Sequence, residues 1–164
     1  MEQQKQQAQQ QIALQDLCAP DGVCFGCGSA NPDGLQIKSY WSDDGSFVWM
    51  RFKTPAKFSG WTGLVYGGLI ACLVDCHSNW TTMATLYRAA GQQPGTLPRI
   101  VCATGTLGVR YLKPTPLDAE LYLKAWVEGE PGRKNRVLCE VYADGVLTAT
   151  GDSIFIQVDP AQFH

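Results

Sequence analysis

An α+β fold, with one long helix facing an antiparallel sheet, is what this 164-residue chain predicts. Three observations point there. The stretch "GGLIACLVDCHSNWTTMATLYRAAG", Gly67 to Gly91, is almost uncharged and has apolar positions at helical spacing. Short β-rich runs stand before and after it, bounded by glycine, proline and aspartate. The runs that follow it are joined by turn sequences, "KPTP", "EPGRK" and "ADG", so antiparallel hairpins dominate.

Each element has its own warrant. Residues 1–17, "MEQQKQQAQQQIALQDL", are Gln-rich and offer little apolar surface before Ile12, Leu14 and Leu17, so a frayed or partly helical extension is expected. Residues 18–34, "CAPDGVCFGCGSANPDG", carry turn chemistry throughout. The main domain spans 35–159. Its first strands are expected over 35–41 and 47–53, with Asp44-Gly45 turning the hairpin between them. The long helix opens at Gly67 and Gly68, and Gly91 suits its C-terminal end, with Arg88 in the last turn. Strands then fall at about 100–112, 119–129, 134–143 and 146–158.

Composition bounds the function. Hydrophobic residues make up 45% of the chain and charged residues only 17%, which suits a surface partly covered by a second subunit. The net charge of −2 gives no global attraction to nucleic acid or to an anionic membrane, so neither is expected as a partner. Seven scattered cysteines, an odd number with two on the helix, read as free thiols in a reducing, cytoplasmic setting. No apolar run follows Met1, so no signal peptide is expected, and no segment is apolar for long enough to span a membrane.

Three motifs, in order, resemble a known family. "VYGGLIACLVD" resembles the V-H-G-G-x-x-x-x-L-x-D signature of hotdog acyl-CoA thioesterases of the phenylacetyl-CoA and 4-hydroxybenzoyl-CoA type. "LGVRYLKPTPLDAELYLKAWV" is similar to their recurrent V-x-Y-L-x-P strand, and "CFGCGSANPDGLQIKSYW" to the opening of many members. The resemblance implies a curved antiparallel sheet wrapped around a central helix. It also implies hydrolysis of an acyl-CoA to a free acid and coenzyme A, in a homodimer or dimer of dimers, with no cofactor. Gly67 and Asp75 match the motif. Tyr66 stands in place of the motif His, Gly60 where some members have Asn, and Cys76 where Glu often follows the Asp. Thr104 falls where one subgroup places a Ser that assists the attacking water.

The residues support roles of their own. Leu69, Leu73, Cys76, Trp80, Met83 and Tyr87 form an apolar helical stripe that suits a core. The other face, with Gly68, Ala71, Cys72, Asp75, Asn79 and Thr82, is mostly small. Asp75 is the one carboxylate of the stretch and lies too far inside to cap it. It is either a general base on water, less readily a nucleophile, or a structural Asp bonded to Ser78, Asn79 or a partner subunit. Eight residues of helix separate it from Gly67, about 12 Å, which is too far for both to touch one thioester carbon. A symmetric dimer with antiparallel central helices would bring Gly67 of one chain to Asp75 of the other, as the resemblance implies. The N–H groups of Gly67 and Gly68, at the positive end of the helix, would then hold the oxyanion. Thr104 would orient the water, or is an ordinary strand residue. Tyr66 would donate a hydrogen bond, or is an interface aromatic.

Trp61, Phe58, Trp80 and Met83 are candidates for an acyl pocket. Arg110, Lys113, Arg133, Lys134 and Arg136 are candidates for the coenzyme A phosphates, or a solvated turn. His77 reads as a packing residue. Cys24-x-x-Cys27 lacks a second pair at zinc-ribbon spacing, and Cys72 with Cys76 lies on a helix, so no metal is expected and the thiols are read as small side chains in a tight turn. The alternative to an enzyme is a non-hydrolytic module that binds acyl-CoA or a small apolar ligand.

Overall fold

The computed structural model describes residues 11–163. Residues 1–10 of the Gln-rich extension lie outside the described residues. Its end forms a short helix, α1 (Leu14–Cys18). Leu14 docks it in the core, and the buried Gln15 bonds the Ser39 hydroxyl and backbone N–H at 3.0 and 2.8 Å.

Seven strands follow: β1 (Tyr40–Trp41), β2 (Val48–Lys53), β3 (Val101–Thr106), β4 (Val109–Tyr111), β5 (Glu120–Glu128), β6 (Lys134–Ala143) and β7 (Val146–Val158). They form one antiparallel sheet in the order β1-β2-β5-β6-β7-β3, with β4 also paired to β7. The long helix, α2 (Gly67–Ala89), packs against β2, β3, β5, β6 and β7. A 3-10 turn, Ala56–Phe58, lies on the approach to α2, and a second, Pro160–Phe163, closes the described chain.

Alternation along β5 and β6 puts one set of side chains on α2. Leu121, Leu123, Val137 and Val141 face the helix stripe, and all six residues expected in that stripe are buried. Gly151 lets the helix come close: a Cβ there would stand 2.5 Å from Val74 Cγ1. Thr82, expected on the small open face, is buried instead and bonds the Ser78 carbonyl at 3.0 Å.

The helix ends as its residues dictate. Gly91 takes φ +65°, and the N–H of Gln92 reaches the Tyr87 carbonyl. Arg88 leaves the helix end and pins the β1–β2 turn, donating to the Gly45 carbonyl at 2.6 Å with its guanidinium 3.6 Å from the Trp41 ring centroid.

Two strands differ from expectation. Over 35–41 only Tyr40 and Trp41 pair with a strand, because Leu35 and Ile37 donate their N–H groups to Phe25 and Gly26 and clamp the cysteine loop. The run 100–112 is broken into β3 and β4, since Gly105 sits in a bulge and Gly108 bonds back to Asp152. No helix among the described residues is long and apolar enough to cross a membrane.

Candidate active site

Asp75 lies half-buried in the middle of α2, not fully enclosed. Its partner comes from the sheet: Thr104 Oγ1 donates to Asp75 Oδ1 at 2.7 Å. Neither Ser78 nor Asn79 bonds it among the described residues. Asn79 instead donates to the Cys102 carbonyl at 3.0 Å, and its buried Oδ1 has no partner among the described residues. Asp75 and Asn79 share the wall of a cavity of about 270 Å³ with Trp80, Met83, Tyr87 and Ile100 on one part and Cys24, Cys27, Cys76 and Arg99 on another. The carboxylate thus stands beside an apolar space that can take an acyl group.

The N-terminus of α2 makes a second concavity, about 660 Å³, lined by Gly60, Trp61, Tyr66, Gly67, Ile70, Tyr111 and Lys113. Among the described residues no side chain caps this end, and no acid stands in its first turn. The N–H groups of Leu69 and Ile70 both reach the Tyr66 carbonyl, while those of Gly67 and Gly68 have no partner among the described residues. Two bare N–H groups at a helix's positive end form a place for a developing negative oxygen. Glycine lets the Tyr66 ring lie over the helix start, since a Cβ on Gly68 would meet that ring at 2.5 Å and turn it aside. Tyr111, which sequence reasoning passed over, donates to the Gly67 carbonyl at 2.6 Å. Burial and the nearby Tyr66 raise its phenol above the ordinary tyrosine range. Its place beside the turn "KPTP" in the strand motif was the available sign.

The fold of known structures agrees with this architecture. No protein-family model matches the chain, and no curated protein matches it either. A thioesterase superfamily protein from Shewanella loihica PV-4 is 32% identical, with a TM-score of 0.60; the match covers 80% of this chain and 98% of that one. This chain belongs to the thioesterase superfamily. Its helix and sheet are the hotdog fold of that family. The BH2602 protein from Bacillus halodurans, solved with CoA, is 25% identical over 76% of each chain, at a TM-score of 0.58. A hypothetical thioesterase from Streptococcus pneumoniae TIGR4, solved with coenzyme A, shares the fold at 15% identity, with 74% of this chain and 86% of that one covered and a TM-score of 0.58.

Within this superfamily member the other sequence candidates scatter. Trp61 is 83% exposed at the rim of the helix-end concavity. Phe58 lines neither space: its ring packs on the core, and its carbonyl accepts the Tyr66 N–H at 2.9 Å. Lys113 lines the helix-end concavity, but Arg110 belongs to a separate groove with Trp126 and Glu140. Arg133 and Lys134 are exposed by the β5–β6 turn. Arg136 is already engaged, with Nε and Nη2 on the two Asp152 carboxylate oxygens at 2.8 and 2.6 Å. The five cations therefore do not form one cluster. His77 is fully buried between Ser39 Oγ (2.9 Å) and the Val48 carbonyl (3.2 Å), and desolvation lowers its pKa to about 3. It is a neutral packing residue.

The thiols of the cysteine loop, read from the sequence as small side chains in a tight turn, meet a helix thiol. Cys24 and Cys27 lie against Cys76, the residue after Asp75. A thiol hydrogen bond from Cys76, with backbone N–H groups of Cys27 and Gly26 added, holds the Cys24 thiol well below the ordinary cysteine range, while its thiol neighbours, and after them burial, push Cys76 up.

Proposed function

We propose that this chain hydrolyses an acyl-CoA thioester to a free acid and coenzyme A, in a site shared across a dimer interface. The observation that carries the reading is Asp75, held by Thr104, on the wall of an apolar cavity in a thioesterase-superfamily chain. Thr104 spends its proton on Asp75 Oδ1, so its lone pairs and the second carboxylate oxygen are left for a water. Asp75 takes a proton from that water as its oxygen attacks the thioester carbon. The carbonyl oxygen becomes an oxyanion and is held by the N–H groups of Gly67 and Gly68. The carbon–sulfur bond then breaks, and coenzyme A leaves as a thiolate that takes up a proton.

Gly67 and Asp75 lie on one helix, about 12 Å apart by helical rise, so one chain does not hold both ends of this path. An antiparallel partner helix supplies the missing end. Support comes from the half-exposed small residues Gly67, Ala71 and Cys72, the free edge of β3, and the exposed Tyr66 and Leu112 nearby. The CoA-bound relative from Bacillus halodurans supports coenzyme A as the carrier. Lys113, at the helix end, is the best-placed cation for its phosphates.

The test is thiol release from a panel of aliphatic and aromatic acyl-CoAs, with Asp75→Asn beside the wild type. Turnover by the wild type, lowered about 10²–10⁴-fold by the amide, supports the enzyme. A second reading, a module that binds acyl-CoA without cleaving it, is favoured by Tyr66 in place of the motif His. Tight binding with no thiol release would select it.

A further inference from the structure

We infer that Cys24, Cys27 and Cys76, completed by Cys72, form a closed site for a thiophilic divalent cation of the zinc class. The Sγ atoms of Cys24, Cys27 and Cys76 all lie within 4.8 Å of one another, and Cys24 Sγ stands 3.9 Å from Cys76 Sγ. Four sulfurs each about 2.3 Å from a tetrahedral zinc stand about 3.8 Å apart, so the three thiols already stand close to three corners of that polyhedron. The distance is well beyond a disulfide bond, and all four cysteines are free.

Cys72 is one helical turn before Cys76 and flanks the same loop. Its sulfur lies beside Gly26, next to the three grouped thiols, and would have to turn toward them to take the fourth corner. Gly26 makes the approach possible, since any side chain there would overlap Cys76 Sγ and press on Cys72 Sγ at 3.3 Å.

The surroundings suit thiolates. Trp80 Nε1 donates to Cys27 Sγ at 3.1 Å, the kind of outer contact that orients a sulfur ligand and offsets its charge. The loop is tied to the segment before β1 by Leu35 and Ile37, whose N–H groups reach the carbonyls of Phe25 and Gly26. Binding displaces the thiol protons to solvent, with no change in oxidation state. Four protein sulfurs leave no open position, so the cation is structural and fastens loop 18–34 to α2 beside Asp75.

The test uses the full chain, purified under reducing conditions with zinc present and then dialysed against zinc-free buffer. Elemental analysis should find about one equivalent of zinc per chain. Cobalt added to the stripped protein should give the visible bands of a tetrahedral thiolate site, and a chelator should lower Tm. Cys24→Ser, on an exposed loop, and Cys76→Ser should each lose the metal, while Cys139→Ala, outside the cluster, keeps it. Should Cys76→Ser fail to fold, the wild-type stoichiometry and Cys24→Ser still decide. A wild-type chain that keeps no zinc and gives no cobalt bands overturns the inference. So does a Cys24–Cys76 disulfide found in the reduced preparation, or metal retained when Cys24, Cys27 and Cys76 are all serine. None of these readings involves acyl-CoA turnover, so they stand or fall apart from the proposed hydrolysis.

Discussion

Thr104 on β3 donates a 2.7 Å hydrogen bond to Asp75 on α2, and so joins the free edge of the sheet to the middle of the helix. The bond fixes one carboxylate oxygen of a residue on the cavity wall.

Thr104 should therefore matter to rate more than to binding. Thr104→Ala is expected to lower kcat about 10- to 100-fold with KM little changed, because a misplaced water costs rate at the transition state. Thr104→Ser keeps the hydroxyl and should keep most of the activity. Steady-state kinetics with one acyl-CoA would check this; equal losses in both variants would count against the hydroxyl's role.

Lys113 and Arg136 should separate. Lys113 lines the helix-end concavity, whereas Arg136 is already held by both oxygens of Asp152. Lys113→Ala is expected to raise KM for acyl-CoA several-fold, with an effect that shrinks as salt rises, while Arg136→Ala leaves it nearly unchanged. The reverse order would move the phosphate site to the β5–β6 hairpin.

Ser39 bridges three elements. It bonds Gln15 of α1 and His77 of α2 from the segment before β1, all fully buried. Ser39→Ala leaves His77 Nδ1 and Gln15 Nε2 without their partner, at a cost of about 1–3 kcal/mol. Thermal unfolding should show a Tm lower by about 2–10 °C. An unchanged Tm would show that the network adds nothing to the fold.

The chain should associate. Sedimentation at micromolar concentration is expected to show a dimer or a dimer of dimers, and a lone species near the 17.9 kDa chain mass would contradict it. Tyr66→Phe adds a finer reading. Loss of a catalytic hydrogen bond lowers kcat/KM about tenfold with association intact, whereas an interface role would weaken association instead.

Much of the fold was legible because its cues are local. Glycines bracket α2, alternation marks β5 and β6, and Asp44-Gly45 turns a hairpin. The missed features depend on contacts far apart in the chain. Leu35 and Ile37 look like strand residues, yet their N–H groups serve the cysteine loop. Cys24 and Cys76 are 52 residues apart, and no spacing rule joins a loop thiol to a helix thiol. Thr104 and Asp75, 29 residues apart, were each picked out, but only the sheet's curvature places one against the other. Asn79, with its orphaned buried oxygen, gives no sequence sign at all beyond its place on the helix face of Asp75.

The central claim is that Gly67 and Asp75 serve one reaction from opposite chains, and mixing two dead variants tests it most directly. Asp75→Asn removes the base, and Gly67→Val crowds the oxyanion position. In a mixed dimer with shared sites, both lesions fall in one site and the other is intact. Random exchange makes half the dimers mixed, so the account predicts recovery of about a quarter of wild-type thiol release. No recovery, with subunit exchange demonstrated independently, would contradict a site built from two chains.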